Sequence, residues 1–266
     1  LEPRSPAVRR WVAVGGAVVC VIAAFLAGLA ASGAWQKFLL YFNQAPWGET
    51  DAQFGRDLSF YVFSMPMWQG VLDFVLAALI TSLVFAAITH AVMGGLEIRQ
   101  RPGRADDAPE TGWSRFGRVQ QAPQVPQVSL RLGGRAVAHL SVLLAAVFVV
   151  VGVGQLFRGW DLVYSEAGAV YGAGATDVAV RLPLTYVTMA IALLLAAVLV
   201  WNVWRRRQWW PLAVAVWIVA LIVLRGIVPA AYQSLVVNPN QLSKERDYLA
   251  RNLAATRQAY DLAEIT

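Results

Sequence analysis

The sequence predicts an all-α, polytopic transmembrane helical bundle that ends in the start of an extracytoplasmic domain. Three observations carry this prediction. Of 266 residues, 58% are hydrophobic and 14% are charged, against about 25% charged in an ordinary soluble domain. Five apolar stretches reach the roughly 20 residues that a helix needs to cross a hydrocarbon core about 30 Å thick. The arginines between those stretches alternate from loop to loop, as they do when basic loops stay on the cytoplasmic side.

The elements follow in order. Residues 1–10 form a basic flank with Arg4, Arg9 and Arg10, and the chain opens at Leu1 as a piece of a longer protein would. The expected spans are residues 11–31, 70–96, 136–157, 182–204 and 209–231. In the first span Gly16, Cys20, Ala24, Gly28 and Ser32 recur every four residues, a ridge of small side chains that lets helices approach closely. Cys20 is the single cysteine, so no disulfide and no CxxC site forms within the chain; it is read as a small apolar packing residue.

Residues 97–135 form a cytoplasmic linker rich in proline, glycine, glutamine and charge, a composition that cannot bury enough apolar surface to order itself. Thirteen arginines lie in this linker, in the amino-terminal flank and at Arg205–Arg207. The alternate loops hold only Lys37, Arg56, Arg158 and Arg181. Loops 32–67 and 158–181 and everything after residue 231 are therefore expected outside, in a bacterial inner membrane with the start of the chain cytoplasmic. Trp11, Trp35, Trp68, Trp160, Trp204, Trp209 and Tyr232 stand near span ends, where amphipathic rings form an interfacial belt. With the basic residues assigned to topology, nucleic acid has no role as a partner.

Within the outer loops, "DAQFGRDLSFYVFSMPMW" (51–68) is expected to lie in the interface and to turn into the bilayer at Pro66. Gly172 and Gly174 in the second outer loop read as a tight turn, since the third glycine of a dinucleotide fingerprint is absent.

Ionisable groups inside spans are costly and mark candidate sites. Asp73 and Arg225 stand at similar depth near the outer ends of their spans. They either pair or each snorkel to the interface. His90 and His139 share a depth near the cytoplasmic ends of adjacent spans, as packing histidines or as a proton relay. No Cys, Asp or Glu beside them completes a metal set, and no catalytic or cofactor-binding motif appears in the spans.

Residues 232–266 change character. Ser243 is placed to cap a helix with Glu245 and Asp247 in its first turn. Leu249, Leu253, Thr256 and Tyr260 give it one apolar face in need of a partner. The segment reads as the opening helix of an extracytoplasmic domain.

Three stretches carry a resemblance. They are "FGRDLSFYVF" (Phe54, Gly55, Asp57, Phe60, Tyr61), "TDVAVRLP" (Thr176, Asp177, Pro183) and "VVNPNQLSKERDYLARNLAATRQAY". The last is the most specific, through Asn238, Pro239, Asn240, Lys244, Glu245, Arg246, Tyr248, Arg251, Asn252, Thr256 and Arg257. With them the chain resembles the large bacterial membrane proteins classed as uncharacterised protein family 0182. The resemblance implies seven spans followed by a large extracytoplasmic region, two spans lying before Leu1; Asp247 stands where the family pattern leads one to expect proline. It implies no activity and no catalytic residue.

The expected function is a non-catalytic scaffold of the cell envelope, without cofactor or metal, that anchors an outer domain. Its expected partners are the lipid bilayer and other envelope proteins or a second copy. The alternative is a transporter or channel component with Asp73, Arg225, His90 and His139 along its route. The topology is testable with single cysteines at Val125 and Arg257 in a Cys20→Ser background. A membrane-impermeant maleimide applied to intact cells is expected to label position 257, and position 125 only after permeabilisation. The reverse pattern overturns the map.

Overall fold

The computed structural model describes residues 6–92, 96–101, 127–168, 170–205 and 207–262. Among these, eight α-helices account for most of the chain: α1 (Pro6–Ser32), α2 (Trp35–Phe42), α3 (Met65–Val92), α4 (Gly134–Trp160), α5 (Leu182–Arg205), α6 (Trp210–Leu221), α7 (Val228–Tyr232) and α8 (Gln241–Ala259). Four continuous helical stretches are long and apolar enough to cross a membrane: Phe60–Val92, Gly134–Tyr164, Asp177–Arg205 and Trp210–Ala259. Over the first expected span α1 is helical for 27 residues, with an apolar stretch at Ala13–Leu29.

The core lies between α4 and α5. Leu144, Ala145 and Phe148 pack on Ala192, Ala196 and Leu199, and Ala213 of α6 joins them. Small residues permit a close approach: a Cβ built on Gly152 stands 3.2 Å from a Leu193 methyl, so a larger side chain there requires Leu193 to give way. Phe148 meets Trp217 edge-to-face at 5.6 Å between centroids. A buried polar pair closes the other end, where Asn202 donates to the Ser141 hydroxyl at 3.0 Å and accepts from the Arg207 backbone N–H at 3.0 Å.

Four prolines shape the helices. The N–H just before each one reaches back five residues instead of four: Met65 to Phe60, Leu182 to Asp177, Val228 to Val223 and Asn238 to Gln233. The resulting π-helical segments are Phe60–Ser64, Asp177–Arg181, Ile222–Ile227 and Gln233–Val237. The cause is in the sequence. Pro66, Pro183, Pro229 and Pro239 lack the N–H for the next bond, and their rings crowd the carbonyl four residues earlier. A widened turn relieves the crowding while keeping the backbone bonded.

Three expectations are corrected. The 97–135 linker is not structureless throughout: β1 (Leu96–Arg101) and β2 (Gln127–Leu132) pair antiparallel, with Ile98 opposite Leu130. Alternation of apolar and polar residues at both ends of the linker has the period of a strand, which its overall composition hides. The chain re-enters the bundle before Pro66, with the helix already under way at Phe60. Among the described residues the α1 ridge has no neighbour at Gly16 or Gly28, where a Cβ meets no atom within 4 Å. Cys20 is exposed for the same reason.

Replacing Asn202 with Ala leaves both the Ser141 hydroxyl and the Arg207 N–H without their partner. A loss of about 1 kcal/mol is expected, read as a lower unfolding midpoint in detergent. Adding Ser141→Ala to that variant is expected to cost nothing further from the shared bond.

Candidate functional site

The three sequence stretches that carry the family resemblance converge on one end of the bundle, where α4 finishes and α3 and α5 begin. The first, together with the turn before it, is folded around two carboxylates. Asp51, buried, accepts the N–H groups of Gln53 (2.7 Å), Phe54 (2.8 Å) and Arg56 (3.1 Å) and the Tyr61 hydroxyl (2.7 Å). Asp57 accepts from Trp47 (3.2 Å), Gly48 (2.9 Å) and Ser59 (2.8 Å). Gly48 and Gly55 take the left-handed conformation, with φ of 77° and 64°, that the two turns require. Phe60 stands edge-to-face with Trp160 at 5.2 Å, and the Arg56 guanidinium lies over both rings, 4.5 and 4.2 Å from their centroids. These contacts tie the loop to the end of α4.

The second stretch and α8 are built into one another. Gly174, Ala175, Thr176 and Asp177 are buried. Asp177 accepts the Gly174 N–H at 3.2 Å through one oxygen and holds Arg181 at 2.7 Å through the other. Glu245, 3% exposed, reaches from α8 to the Ala175 N–H at 3.1 Å. A Cβ on Gly174 would stand 3.2 Å from the Glu245 carboxylate, so the glycine is what lets that carboxylate in. Asn252 donates to the Tyr171 carbonyl, Thr176 donates to Gln233, and Gln233 donates to Asn238 at 3.0 Å. Arg251 closes the ring of contacts with a bond to Gln53 of the first loop at 3.1 Å. Pro239 and Asn240 form the break before α8: Asn240 leaves helical geometry at φ −127°, ψ 36°.

The docked face of α8 is therefore polar. Glu245, Tyr248, Leu249 and Asn252 face the loops, while Leu253 and Tyr260 are exposed. Of the apolar face that is expected to need a partner, Leu249 takes part in this contact while Leu253, Thr256 and Tyr260 stay exposed. The loops offer backbone N–H and C=O groups that need partners, and a carboxylate and an amide supply them where leucines do not. Ser243 is not the cap either: α8 begins at Gln241, and the Ser243 hydroxyl donates to the Asn240 carbonyl. Lys244, Arg246, Thr256 and Arg257 are exposed, Thr256 donating to the Asn252 carbonyl.

Inside the bundle Arg225 donates to Gln155 at 3.0 Å, and among the described residues it makes no ion pair with Asp73. Gln155, 1% exposed, lines one of two clefts, and its partner Arg225 lines the other. One, of about 320 Å³, is lined by Asp73, Gln69, Asp161 and Gln155; Gln69 donates to both oxygens of Asp161 at 3.0 Å. The other, of about 250 Å³, is lined by Arg225, Arg158 and Arg181. At the opposite end His90 Nε2 and His139 Nδ1 stand 3.1 Å apart, bridging α3 to α4.

Sequence reasoning missed Asp51, Gln155 and Gln233. For the first two a signal was present. Asp51 opens an Asp-Ala-Gln-Phe-Gly turn of the kind in which aspartate bonds the backbone ahead of it. Gln155 is the lone amide in a long apolar run.

The Ser59 hydroxyl and N–H, followed by the N–H groups of Trp47 and Gly48, hold the Asp57 carboxyl at about 2, below its ordinary 3.8. A depressed carboxylate stabilises the folded loop fully above the unfolded value and loses that contribution as pH falls toward the folded one. Amide exchange in residues 44–59 is accordingly expected to accelerate as pH falls from 4 to 2, after correction for the intrinsic rate. In Asp57→Asn the loop is expected to exchange fast throughout, with the acid step gone.

No solved structure matches this chain. The chain is 31% identical over 240 residues to a UPF0182 protein of Trichodesmium erythraeum, covering 90% of this chain and 23% of that protein. It is 33% identical over 251 residues to one of Frankia alni, covering 93% and 22%, and 32% identical over 269 residues to one of Salinispora arenicola, covering 98% and 24%. The chain thus spans about a quarter of the length of these relatives. The family model described as Uncharacterised protein family (UPF0182) matches residues 2–266, and the chain belongs to that family.

Proposed function

We propose that this region is the membrane-embedded scaffold of a cell-envelope protein, and that its motif-bearing end grips the root of a large extracytoplasmic region. The observation that carries the reading is the buried Glu245 on the Ala175 N–H. A carboxylate withdrawn from water, with a glycine opposite to admit it, fixes α8 in one orientation on the bundle. Asn252 and Arg251 add bonds to each of the two loops. The arginine bias supports a cytoplasmic start and an external α8 in the bacterial inner membrane, with five spans in this chain. The uncovered apolar face of α1 supports assembly with further helices, of the same protein, a second copy or another envelope protein. The role is structural and not catalytic.

A second reading, a transporter or channel component, draws on the two clefts that Arg225 and Gln155 line and on the π segments, which recur at functional sites. Solute flux in liposomes that fell in both Asp73→Asn and Arg225→Gln would favour it over the scaffold.

The scaffold is tested by hydrogen exchange on the whole protein. In Glu245→Ala combined with Asn252→Ala, the amides of 241–259 are expected to exchange about tenfold faster, equivalent to about 1.4 kcal/mol, while those of α5 are unchanged. Glu245→Gln, which keeps an acceptor oxygen, is expected to restore most of the protection. Unaltered exchange in the double variant would sink the reading.

A further inference from the structure

The grip on α8 leaves unused a convergence of three arginines. Arg158 lies two residues from the end of α4, Arg181 closes one π segment and Arg225 sits inside another, and all three line the cleft of about 250 Å³. Pro229 is the cause of the third placement. Its ring crowds the carbonyl four residues earlier, which is that of Arg225, and the widened turn there carries the guanidinium to the cleft.

Three like charges around one small space repel one another, and among the described residues no carboxylate lines that space. The neighbouring acids are accounted for. Asp177 holds one Nη of Arg181 at 2.7 Å from the side, and Asp73 and Asp161 line the adjoining cleft, which shares Arg158. Arg225 spends one donor on Gln155, and a guanidinium has five. The two threonines of the cleft are not donors, because Thr185 and Thr188 give their hydroxyl hydrogens to the carbonyls of Arg181 and Leu184. Recognition therefore falls to the guanidinium forks, whose geometry matches the paired oxygens of a phosphate. The remaining walls are Leu162, Leu184 and Leu224, which suit the first carbons of an ester.

We propose that this cleft is a phosphate-binding site whose leucine walls favour the phosphodiester headgroup of an anionic lipid. The site stands whether the region acts as a scaffold or as part of a transporter, since it uses none of the residues that grip α8.

The test uses the whole protein purified in a neutral detergent, with thermal shift read against short-chain phosphatidylglycerol, short-chain phosphatidylcholine and inorganic phosphate. Phosphatidylglycerol is expected to raise the midpoint saturably, phosphatidylcholine more weakly because its choline cation meets three arginines, and inorganic phosphate more weakly than phosphatidylglycerol; equal potency of inorganic phosphate would make free phosphate the ligand of the same site. Arg158→Gln with Arg225→Gln is expected to weaken the lipid response about tenfold, as loss of charge-assisted bonds does. Arg225→Lys, which keeps charge and loses the fork, is expected to fall between. Arg205→Gln with Arg207→Gln, at the other end of the bundle, serves as the control and is expected to leave the response intact. An equal loss in that control, or equal responses to the two lipids, would overturn the site. If the Arg225 variants do not fold, Arg158→Gln alone decides, and a wild-type response from it overturns the proposal.

Discussion

A backbone carbonyl or N–H that loses its helical partner in an apolar setting must find another, and four prolines make that demand at one end of this bundle. The helices answer by widening one turn before each proline. Pro66, Pro183, Pro229 and Pro239 each follow an N–H bonded five residues back. Because a widened turn rotates every side chain that follows relative to the regular helix, these segments decide which groups face one another. Tyr61 points to Asp51, Asp177 to Gly174, Arg225 to Gln155 and Gln233 to Thr176, and all four sit within π segments.

The second constraint is hydrogen-bond accounting in the loops. A loop that packs on a bundle buries backbone groups, and nearly all such groups are paired in folded proteins. Here carboxylates do much of the pairing. Asp51 and Asp57 serve the first loop, and Asp177 and Glu245 serve the second. Since an ionised carboxylate accepts several strong bonds at once, each can fix a whole turn. Only the last of the four comes from a distant element, so Glu245 is the carboxylate among them that holds α8, beside the bonds from Asn252 and Arg251.

Much of this was legible in the sequence. Apolar length gave the helices at 134–160 and 182–205 to within a few residues of the expected spans, because spanning length and charge exclusion are strong signals. Family resemblance found the converging stretches, though not how they meet. The docked face of α8 was not legible, because helical periodicity tracks apolar residues and the contact is made by Glu245 and Asn252. For Asp73 and Arg225 depth left pairing and snorkelling open, since depth says nothing of the angle around a helix; the turn at Ile222–Ile227 gives Arg225 to Gln155. The proline positions are visible in the sequence, but a proline can bend, end or widen a helix, and only the packing around each selects the widened turn.

Asp177 joins the two features of this end of the molecule. One of its oxygens binds the Gly174 N–H, in the turn that receives Glu245, and the other binds Arg181, which lines the arginine cleft. The side chain is 2% exposed, so it has little room to reorganise around one partner without moving against the other. A displacement of Arg181 thus acts on the same carboxylate that shapes the seat of α8. For such a link to carry information, a ligand in the cleft must bind one position of Arg181 better than another.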